Sequence, residues 1–338
     1  MCTFIHLSKR WQATCQVELG ESILGMPLAR HGNLRIYQKS NLEQIAAIDT
    51  ALRCTFMEVS QYLEYERHYR GPIRLVILDW AGLTVDYGCY APAVVFIEVF
   101  KRSGIDISME QARAPMGMFK RDHIKCIFEW NNDVARKWKE THGRDWRDED
   151  VSDMYENLFK SMQLQVIRNY SKLIPGTLET VKWLRGRGIK IGSTTGYFKE
   201  AAQANLEEAK QQGYEPDATF CSDDVPAGRP YPWMVMRNIL KTTIFPPAAV
   251  VKVDDTVVGV EEGLNAGTWS VGVSKTGTLV GLNEEEIESA NPDTLRLKID
   301  SANDKLRRSG AHYVIEEIRE LPQAILAIEE RLKRGERP

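Results

Sequence analysis

The chain has 338 residues, 43% of them hydrophobic and 27% charged, with a formal net charge of −3 at pH 7. This is a globular composition without internal repeats, and its charge gives no reason to expect nucleic acid as a partner. No apolar run approaches the roughly 18 residues of a membrane helix, and no apolar stretch follows Lys9 and Arg10 to form a secretory signal. The six cysteines include no C-x-x-C pair, which favours a reduced, cytoplasmic protein over a disulfide or zinc framework.

The first predicted segment, residues 1–70, differs in pattern from the rest of the chain. Its first forty residues have no clear period, whereas residues 40–68 are predicted to be helical. Ser40 and Glu43 fit a capping box, and apolar residues recur at helical spacing from Leu42 to Leu52. We interpret this segment as an N-terminal extension of unknown role.

From residue 73 onward, short apolar strands alternate with helical stretches. The predicted strands span residues 73–79, 188–194, 218–222, 249–254 and 268–274. Continuous apolar strands that alternate with helices are typical of a parallel sheet covered on both faces. The sequence therefore predicts an α/β fold with a central parallel sheet.

The connection between the first and second predicted strands is unusually long. It spans about a hundred residues, far more than a simple crossover, and its pattern is helical throughout. We predict a helical cap domain over residues 87–170, with residues 71–86 and 171–338 forming the α/β core. Ligands of such folds bind beyond the carboxyl ends of the strands, so the cap is expected to cover the site.

Polar residues suited to phosphate chemistry follow four of the predicted strands. In chain order they are Asp79, then Thr195 and Gly196, then Arg229, and finally Asp254 with Asp255. Each one alone is more often a helix cap or a turn residue. The order of an acid, a hydroxyl, a base and an acidic pair, each after its own strand, predicts that all of them meet at one edge of the sheet.

These residue types support transfer of a phosphoryl group to a carboxylate. Asp79 can attack phosphorus and form an aspartyl phosphate. The Thr195 hydroxyl, the backbone N–H groups near Gly196 and the Arg229 guanidinium can neutralise the phosphoryl oxygens. Asp79 and Asp255 would repel each other, and a hard cation with oxygen ligands, Mg²⁺, would relieve that repulsion.

The ordered set resembles the haloacid dehalogenase (HAD) superfamily from about residue 72 to the C-terminus. Within that superfamily, six segments resemble the phosphonoacetaldehyde hydrolase (phosphonatase) family: "DWAGLTVDYG", "PMGMFKRDH", "GSTTGY", "DDVPAGRPYPWM", "EGLNAGTWSVGV" and "GAHYVIEEIRELP". The resemblance implies a HAD-like Rossmannoid core with an inserted all-helical cap. It also implies a homodimeric hydrolase that cleaves the carbon–phosphorus bond of phosphonoacetaldehyde in 2-aminoethylphosphonate degradation.

Many phosphate-transferring enzymes of this shape carry a general acid two residues after the nucleophile, but this chain has Ala81 there. Cleavage of a carbon–phosphorus bond needs an electron sink instead, which a lysine imine provides. The resemblance places that lysine at Lys120, inside the cap. A free lysine is only about one part in 2,500 neutral at pH 7, so burial or a positive neighbour would have to lower the pKa of Lys120 toward 7–8. The dipole of a helix that begins near Met116 would act in the same direction. His123, three residues on, is either a proton relay or a packed histidine.

The resemblance implies further site residues. It places Met116, Gly117, Cys89 and Tyr197 near the substrate, and it implies a metal site formed by Asp79, Asp255 and the backbone carbonyl of Ala81, with Asp254 as a further candidate. The cap tryptophans Trp130 and Trp138 are expected either to contact a second subunit or to fill the cap core.

Three positions depart from the family pattern. Leu83 stands where a small polar residue is common, Asp254 where some members have glycine, and Gly259 where some have aspartate. Two alternatives remain open: another phosphatase or phosphomutase of the superfamily, and a non-catalytic scaffold that binds a phosphorylated ligand. Ala81 argues against the first. The second is disfavoured by the joint presence of four residues, Asp79, Lys120, Arg229 and Asp255.

Overall fold

The computed structural model describes residues 68–338. The predicted helix that begins at residue 40, its capping box and the N-terminal extension of residues 1–70 therefore lie outside the described residues, apart from the last three. Everything that follows concerns the described part of the chain.

The core is a six-stranded sheet in which all neighbouring strands are parallel. The strands are β1 (Leu75–Leu78), β2 (Lys190–Thr195), β3 (Ala218–Cys221), β4 (Val250–Asp254), β5 (Trp269–Val273) and β6 (Tyr313–Ile315). Their order across the sheet is β3-β2-β1-β4-β5-β6. This confirms the predicted α/β fold. The sequence reading missed β6, because a three-residue edge strand with two partly exposed residues leaves no apolar run.

The position of β1 explains why polar residues distant in sequence meet. All four residues of β1 are fully buried, because the strand lies in the middle of a sheet covered on both faces. Leu78, its last residue, pairs with Ser193 on one side and with Val253 on the other. The residues that follow β1, β2 and β4 therefore emerge side by side at one edge.

Helices fill the connections. Between β1 and β2 lie α1 (Tyr90–Arg102), α2 (Met109–Arg113), α3 (Lys120–Trp130), α4 (Asn132–His142), α5 (Asp148–Asp153), a π-helical segment (Met154–Phe159), α6 (Lys160–Val166) and α7 (Thr177–Gly186). The later helices are α8 (Lys199–Gln211), α9 (Trp233–Thr242), α10 (Val257–Asn265), α11 (Glu284–Ser289), α12 (Pro292–Arg308) and α13 (Leu321–Lys333). No helix within residues 68–338 is long and apolar enough to cross a bilayer.

The helices from α1 to α6 share a hydrophobic cluster, which also includes residues of α8 and β3. Phe100, Phe128 and Trp138 pack ring against ring within it, and Trp138 is 4% exposed. Trp138 therefore fills this helical core, whereas Trp130 is 56% exposed. Tyr197, from the loop after β2, joins the same cluster, so the helices pack directly on the strand ends. The boundaries of the cap at residues 87 and 170 stay a prediction.

Candidate active site

The turn after β1 presents Asp79 at the sheet edge. The Thr84 hydroxyl donates to the Asp79 carbonyl (2.9 Å), and the N–H groups of Leu83 and Thr84 donate to the Trp80 carbonyl (3.2 and 2.8 Å). The Leu83 side chain is fully buried in the hydrophobic core beneath the sheet edge. Leu83 stands where the family commonly has a small polar residue, and it adds an apolar contact there. The turn that positions Asp79 keeps its hydrogen bonds.

A narrow cavity lies between this edge and the helical insertion. Its lining consists of Asp79, Ala81, Cys89, Pro92, Met116, Gly117, Lys120, Thr195, Gly196, Tyr197, Arg229 and Thr256. Ten of these twelve residues belong to the predicted site, and they come from five separate segments of the chain. Three predicted residues do not line the cavity and are buried behind the residues that do: Asp254, Asp255 and His123.

Three buried carboxylates form a cluster with the chemistry of a cation site. Oxygen atoms of Asp79, Asp254 and Asp255 lie within 4.8 Å of one another. Burial, reinforced by the neighbouring Asp254 and Asp79 charges, raises the pKa of Asp255 well above its usual range. Asp255 accepts the Thr278 N–H through Oδ2 (2.7 Å), while its buried Oδ1 has no hydrogen-bond partner within residues 68–338. An unpaired buried oxygen among repelling carboxylates fits a hard divalent cation such as Mg²⁺.

Asp254 differs from Asp255 because both of its oxygens have partners. Lys252 Nζ donates to Oδ2 (2.7 Å), and the Thr256 N–H and hydroxyl donate to Oδ1 (3.0 and 2.7 Å). Burial opposes ionisation here, but the charges of Arg229 and Lys252 prevail and hold the pKa of Asp254 below its usual value. The main role of Asp254 is therefore that of a counter-ion to Lys252.

Arg229 connects Asp79 to this buried network. Its Nη2 donates to Asp79 Oδ1 (2.5 Å) and to Thr194 Oγ1 (2.8 Å), and its Nε donates to Glu262 Oε2 (3.0 Å). Lys252 Nζ also donates to Thr194 Oγ1 (2.8 Å). These bonds fix the guanidinium plane against Asp79, where a phosphoryl group would approach.

Sequence reasoning missed Thr194, Lys252 and Glu262. One signal was present, because Lys252 interrupts an otherwise apolar strand, "VVKVD", that is buried on both faces. A lysine at such a position requires a buried counter-charge. The identity of that partner depends on contacts between β4 and α10 that no local pattern specifies.

Lys120 is the first residue of α3, and its side chain points into the cavity. It is 4% exposed, and its Nζ lies 3.9 Å from Met116 Sδ and 5.1 Å from the Tyr197 ring centroid. Burial lowers the pKa of Lys120 to about 8; Arg229 acts in the same direction and the charges of Asp79 and Asp255 oppose it. The helix begins at Lys120 rather than near Met116, so the amine is close to the positive end of the helix dipole.

His123 is fully buried behind Lys120. Its Nε2 donates to the Ala112 carbonyl (2.8 Å), and its ring stacks on Phe96 with centroids 3.8 Å apart. Burial, followed by the nearby Lys120 charge, lowers the pKa of His123 well below its usual value, so the imidazole is neutral. These surroundings match the packed-histidine alternative, and the proton relay stays a prediction.

Two glycines allow the cap loop to approach the strand ends. A Cβ on Gly117, whose φ is +93°, would lie 2.5 Å from Thr256 Oγ1. A Cβ on Gly196 would lie 2.6 Å from the Met118 carbonyl. Both distances are too short for any side chain, so the loop before α3 can close over the cavity only with glycine at these positions.

The lining of the cavity is completed by Cys89, Thr195 and Tyr197. Cys89, the N-cap of α1, is buried, and burial raises the pKa of its thiol well above the usual value, so it is protonated. Thr195 Oγ1 accepts the Tyr197 N–H (3.2 Å), which leaves the hydroxyl hydrogen available to a ligand. The Tyr197 hydroxyl is buried and makes no hydrogen bond to the described residues.

Comparisons with known proteins place the chain in a family. Residues 73–267 match the model of the haloacid dehalogenase-like hydrolase family. A phosphonoacetaldehyde hydrolase of Bacillus cytotoxicus is 46% identical over 257 residues, which cover 76% of this chain and 97% of the relative. A phosphonoacetaldehyde hydrolase-like protein of Syntrophobacter fumaroxidans is 43% identical over 270 residues, covering 80% of this chain and 97% of the relative.

A solved structure is also similar. The crystal structure of a phosphonoacetaldehyde hydrolase-like protein from Oleispira antarctica superposes with a TM-score of 0.79 at 39% identity, covering 81% of this chain and 98% of that one. A β-phosphoglucomutase from Clostridium difficile shares the fold at a TM-score of 0.54 and 16% identity, covering 77% of this chain and 98% of that one.

Proposed function

Because this chain belongs to the haloacid dehalogenase-like hydrolases and, within them, to the phosphonoacetaldehyde hydrolase family, we propose that it hydrolyses phosphonoacetaldehyde to acetaldehyde and phosphate. One observation carries the proposal: Lys120 and Asp79 line the same cavity, and Ala81 stands beside them where a general acid would otherwise be. An amine that forms an imine and a carboxylate that attacks phosphorus are the two groups this reaction needs.

The first step is imine formation at Lys120. The neutral amine attacks the aldehyde carbon, and the resulting carbinolamine takes up a proton and loses water, which leaves a protonated imine next to the carbon that carries phosphorus. With a pKa of about 8, roughly one amine in ten is neutral at pH 7, compared with about one in 2,500 for an exposed lysine. The buried position of Lys120 therefore supports a gain of about two orders of magnitude in reactive amine.

The second step breaks the carbon–phosphorus bond. An Asp79 oxygen attacks phosphorus, and the electron pair of the broken bond forms the enamine double bond as the imine nitrogen becomes neutral. Arg229 and the Thr195 hydroxyl stabilise the charge on the transferred phosphoryl oxygens. Protonation of the enamine carbon and addition of water then release acetaldehyde and Lys120. A second water hydrolyses the aspartyl phosphate.

The carboxylates support a role for Mg²⁺ in this reaction. Asp79, Asp255 and the Ala81 carbonyl would hold the ion, and it would neutralise the negative charge shared by the carboxylates and the phosphonate. Alanine suffices at position 81 for this purpose because only the backbone carbonyl is required.

We further propose that the protein acts as a cytoplasmic homodimer in 2-aminoethylphosphonate degradation. The resemblance to phosphonatases supports the pathway and the dimer. The free, buried thiols of Cys89, Cys126 and Cys221 support a reducing compartment. The exposed Trp130 is available for a subunit contact, whereas the buried Trp138 is not.

A product assay tests the proposed reaction. Purified protein with Mg²⁺ is expected to release acetaldehyde and phosphate from phosphonoacetaldehyde in equal amounts, and EDTA is expected to abolish release until Mg²⁺ is restored in excess. Simple phosphate esters should be hydrolysed far more slowly, because Ala81 cannot protonate an alkoxide leaving group. Rapid ester hydrolysis without cleavage of phosphonoacetaldehyde would instead favour the ordinary phosphatase alternative.

The pKa of Lys120 predicts a pH dependence of imine formation. The neutral amine is the reactive form, so the rate is expected to rise about tenfold per pH unit below pH 8 and to level off above it. The measurement is covalent trapping of acetaldehyde by a hydride reductant at a series of pH values. Acetaldehyde has no titrating group, so the substrate adds no titration of its own to the profile. A flat profile between pH 6 and pH 8 would contradict the assigned pKa.

A further inference from the structure

Asp86 is a buried carboxylate that the reaction steps above do not use. It lies between the turn that presents Asp79 and the beginning of α1, and it is 5% exposed. Its Oδ1 accepts the Tyr90 N–H (2.9 Å), and its Oδ2 accepts the Ala91 N–H (2.9 Å). Both side-chain oxygens therefore bind the first turn of α1, where free N–H groups and the helix dipole favour an anion.

Helix α1 relies on Asp86 because it has no side-chain cap at its own N-cap position. Cys89, directly before the helix, has a left-handed backbone (φ 53°), and its side chain caps no N–H group. Asp86 is also left-handed (φ 56°), and its carbonyl accepts the Cys89 N–H (2.8 Å). Asp, Asn and Gly tolerate this backbone better than other residues do. The bonds of Asp86 therefore close residues 86–91 into a compact loop.

The backbone of Asp86 connects this loop to two other segments. Its carbonyl accepts the Gly82 N–H (3.1 Å) from the turn after β1, and its own N–H donates to the Lys172 carbonyl (3.3 Å), between α6 and α7. Asp86 thus contacts the turn that presents the nucleophile, the beginning of α1 and the chain that returns from the helical insertion. A shift of Asp86 would change the position of α1 relative to that turn.

The beginning of α1 forms one side of the cavity. Cys89 and Pro92 line it, and Cys89 shares a small hydrophobic cluster with Met116 and Ala81. Met116 Sδ lies 3.9 Å from Lys120 Nζ, and Ala81 belongs to the turn after β1. This side of the cavity therefore extends from the amine that would hold the substrate carbon to the turn that carries the nucleophile.

The charge of Asp86 matters because only an ionised carboxylate accepts hydrogen bonds freely with both oxygens. Burial raises the pKa of Asp86 to about 7, although the N–H bonds from Ala91 and Tyr90 and the charges of Arg113 and Lys120 oppose this rise. At pH 8 the group is therefore mostly ionised, and both bonds to α1 are available.

We propose that Asp86 is a positioning residue for cleavage of the carbon–phosphorus bond, because it holds the beginning of α1 where it aligns the imine on Lys120 with Asp79. This inference rests on the proposed function. Imine formation needs the Lys120 amine, which lies on a different helix, α3. Cleavage also needs phosphorus in line with the Asp79 carboxylate, and the side formed by α1 limits rotation of the imine. A misplacement of about 1 Å can lower such a rate about 100-fold.

The test compares three variants at pH 8 with Mg²⁺ present. Asp86→Gly removes the carboxylate and keeps the left-handed backbone, whereas Asp86→Asn keeps that backbone and one of the two acceptors. Thr243→Gly is the matched control, because Thr243 is also left-handed (φ 57°) and is exposed just after α9. We expect kcat for phosphate release from phosphonoacetaldehyde to fall about 100-fold in Asp86→Gly and about tenfold in Asp86→Asn, and to stay unchanged in Thr243→Gly.

Hydride reduction with phosphonoacetaldehyde separates the two steps. Reduction before bond cleavage leaves a phosphonoethyl group on Lys120, and reduction after cleavage leaves an ethyl group. The ratio of phosphonoethyl to ethyl is expected to rise at least about tenfold in Asp86→Gly, while the rate of acetaldehyde trapping on Lys120 stays within about threefold of the wild type. A general loss of structure would lower both trapping reactions together, so this pattern distinguishes positioning from a structural role alone.

Failure of this inference is distinguishable from failure of the proposed function. A wild type that releases no phosphate would refute the proposed reaction and the role of Asp86 with it. With an active wild type, the role alone is overturned if Asp86→Gly keeps more than about one third of the kcat, or if its acetaldehyde trapping falls as far as its phosphate release. If Asp86→Gly does not fold, an unchanged kcat or an unchanged ratio of trapped groups in Asp86→Asn overturns the role.

Discussion

Replacing Lys120 with arginine is expected to lower the rate of phosphate release from phosphonoacetaldehyde by at least about 10⁴-fold. A guanidinium stays protonated at every accessible pH and cannot form the imine. Without the imine, the electrons of the carbon–phosphorus bond have no acceptor, since Ala81 provides no acid and a carbanion is a poor leaving group. The measurement is kcat for phosphate release at pH 8 with Mg²⁺ present.

The Lys120→Arg variant is expected to fold, because arginine keeps the positive charge and the contact with the Tyr197 ring. Lys125→Arg is the matched control. Lys125 lies on the same helix, is partly exposed and pairs with Asp148 at 3.0 Å, a contact that arginine can keep. Its activity should equal that of the wild type. Retention of more than about one hundredth of the wild-type rate by Lys120→Arg would remove Lys120 from the mechanism.

Asp79→Asn is the second substitution with a large expected effect, a loss of about 10³-fold or more in phosphate release. The amide is isosteric but cannot attack phosphorus as a carboxylate does. Arg229 keeps its bonds to Glu262 and Thr194, so the guanidinium should remain in place. The exposed Asp304, paired with Arg307 at the surface of α12, provides the control Asp304→Asn, which should leave the rate unchanged.

Asp79→Asn should separate the two chemical steps, because Lys120 does not need Asp79 to form an imine. Hydride reduction of this variant with phosphonoacetaldehyde is expected to leave a phosphonoethyl group on Lys120, with phosphorus still attached. In the wild type, reduction after bond cleavage leaves an ethyl group instead. An ethyl group on Lys120 of Asp79→Asn, or normal phosphate release by it, would show that Asp79 is not the nucleophile.

The sheet could be predicted because its central strands are buried on both faces and therefore appear as apolar runs. Asp79 and the pair Asp254-Asp255 follow two such runs, and parallel pairing through β1 brings them together. The placement of Lys120 depended on a family resemblance rather than on periodicity, because a lone lysine on a helix is usually solvated. Its burial follows from the packing of helices α1 to α6 on the loop after β2.

The parts that the sequence left undefined depend on contacts across the fold. No local pattern pairs Lys252 with Asp254 and Glu262, because that pairing requires β4 and α10 to be packed together. From the sequence alone, Gly259 was only a difference from the family pattern. In the structure, a Cβ at this position would overlap the side chain of Asp254. Leu83 likewise depends on a tertiary contact, because its side chain is buried in the hydrophobic core. The sixth strand, β6, could not be predicted either, because its three residues are too few to form a recognisable apolar run.

The central claim is that Lys120 forms an imine with the substrate aldehyde. It is tested most directly by adding a hydride reductant to the protein with phosphonoacetaldehyde, or with acetaldehyde, and by measuring peptide masses. We expect irreversible loss of activity and an ethyl group on the peptide that contains Lys120, with neither in the Lys120→Arg variant. An unmodified Lys120 in protein that still turns over the substrate would contradict the account.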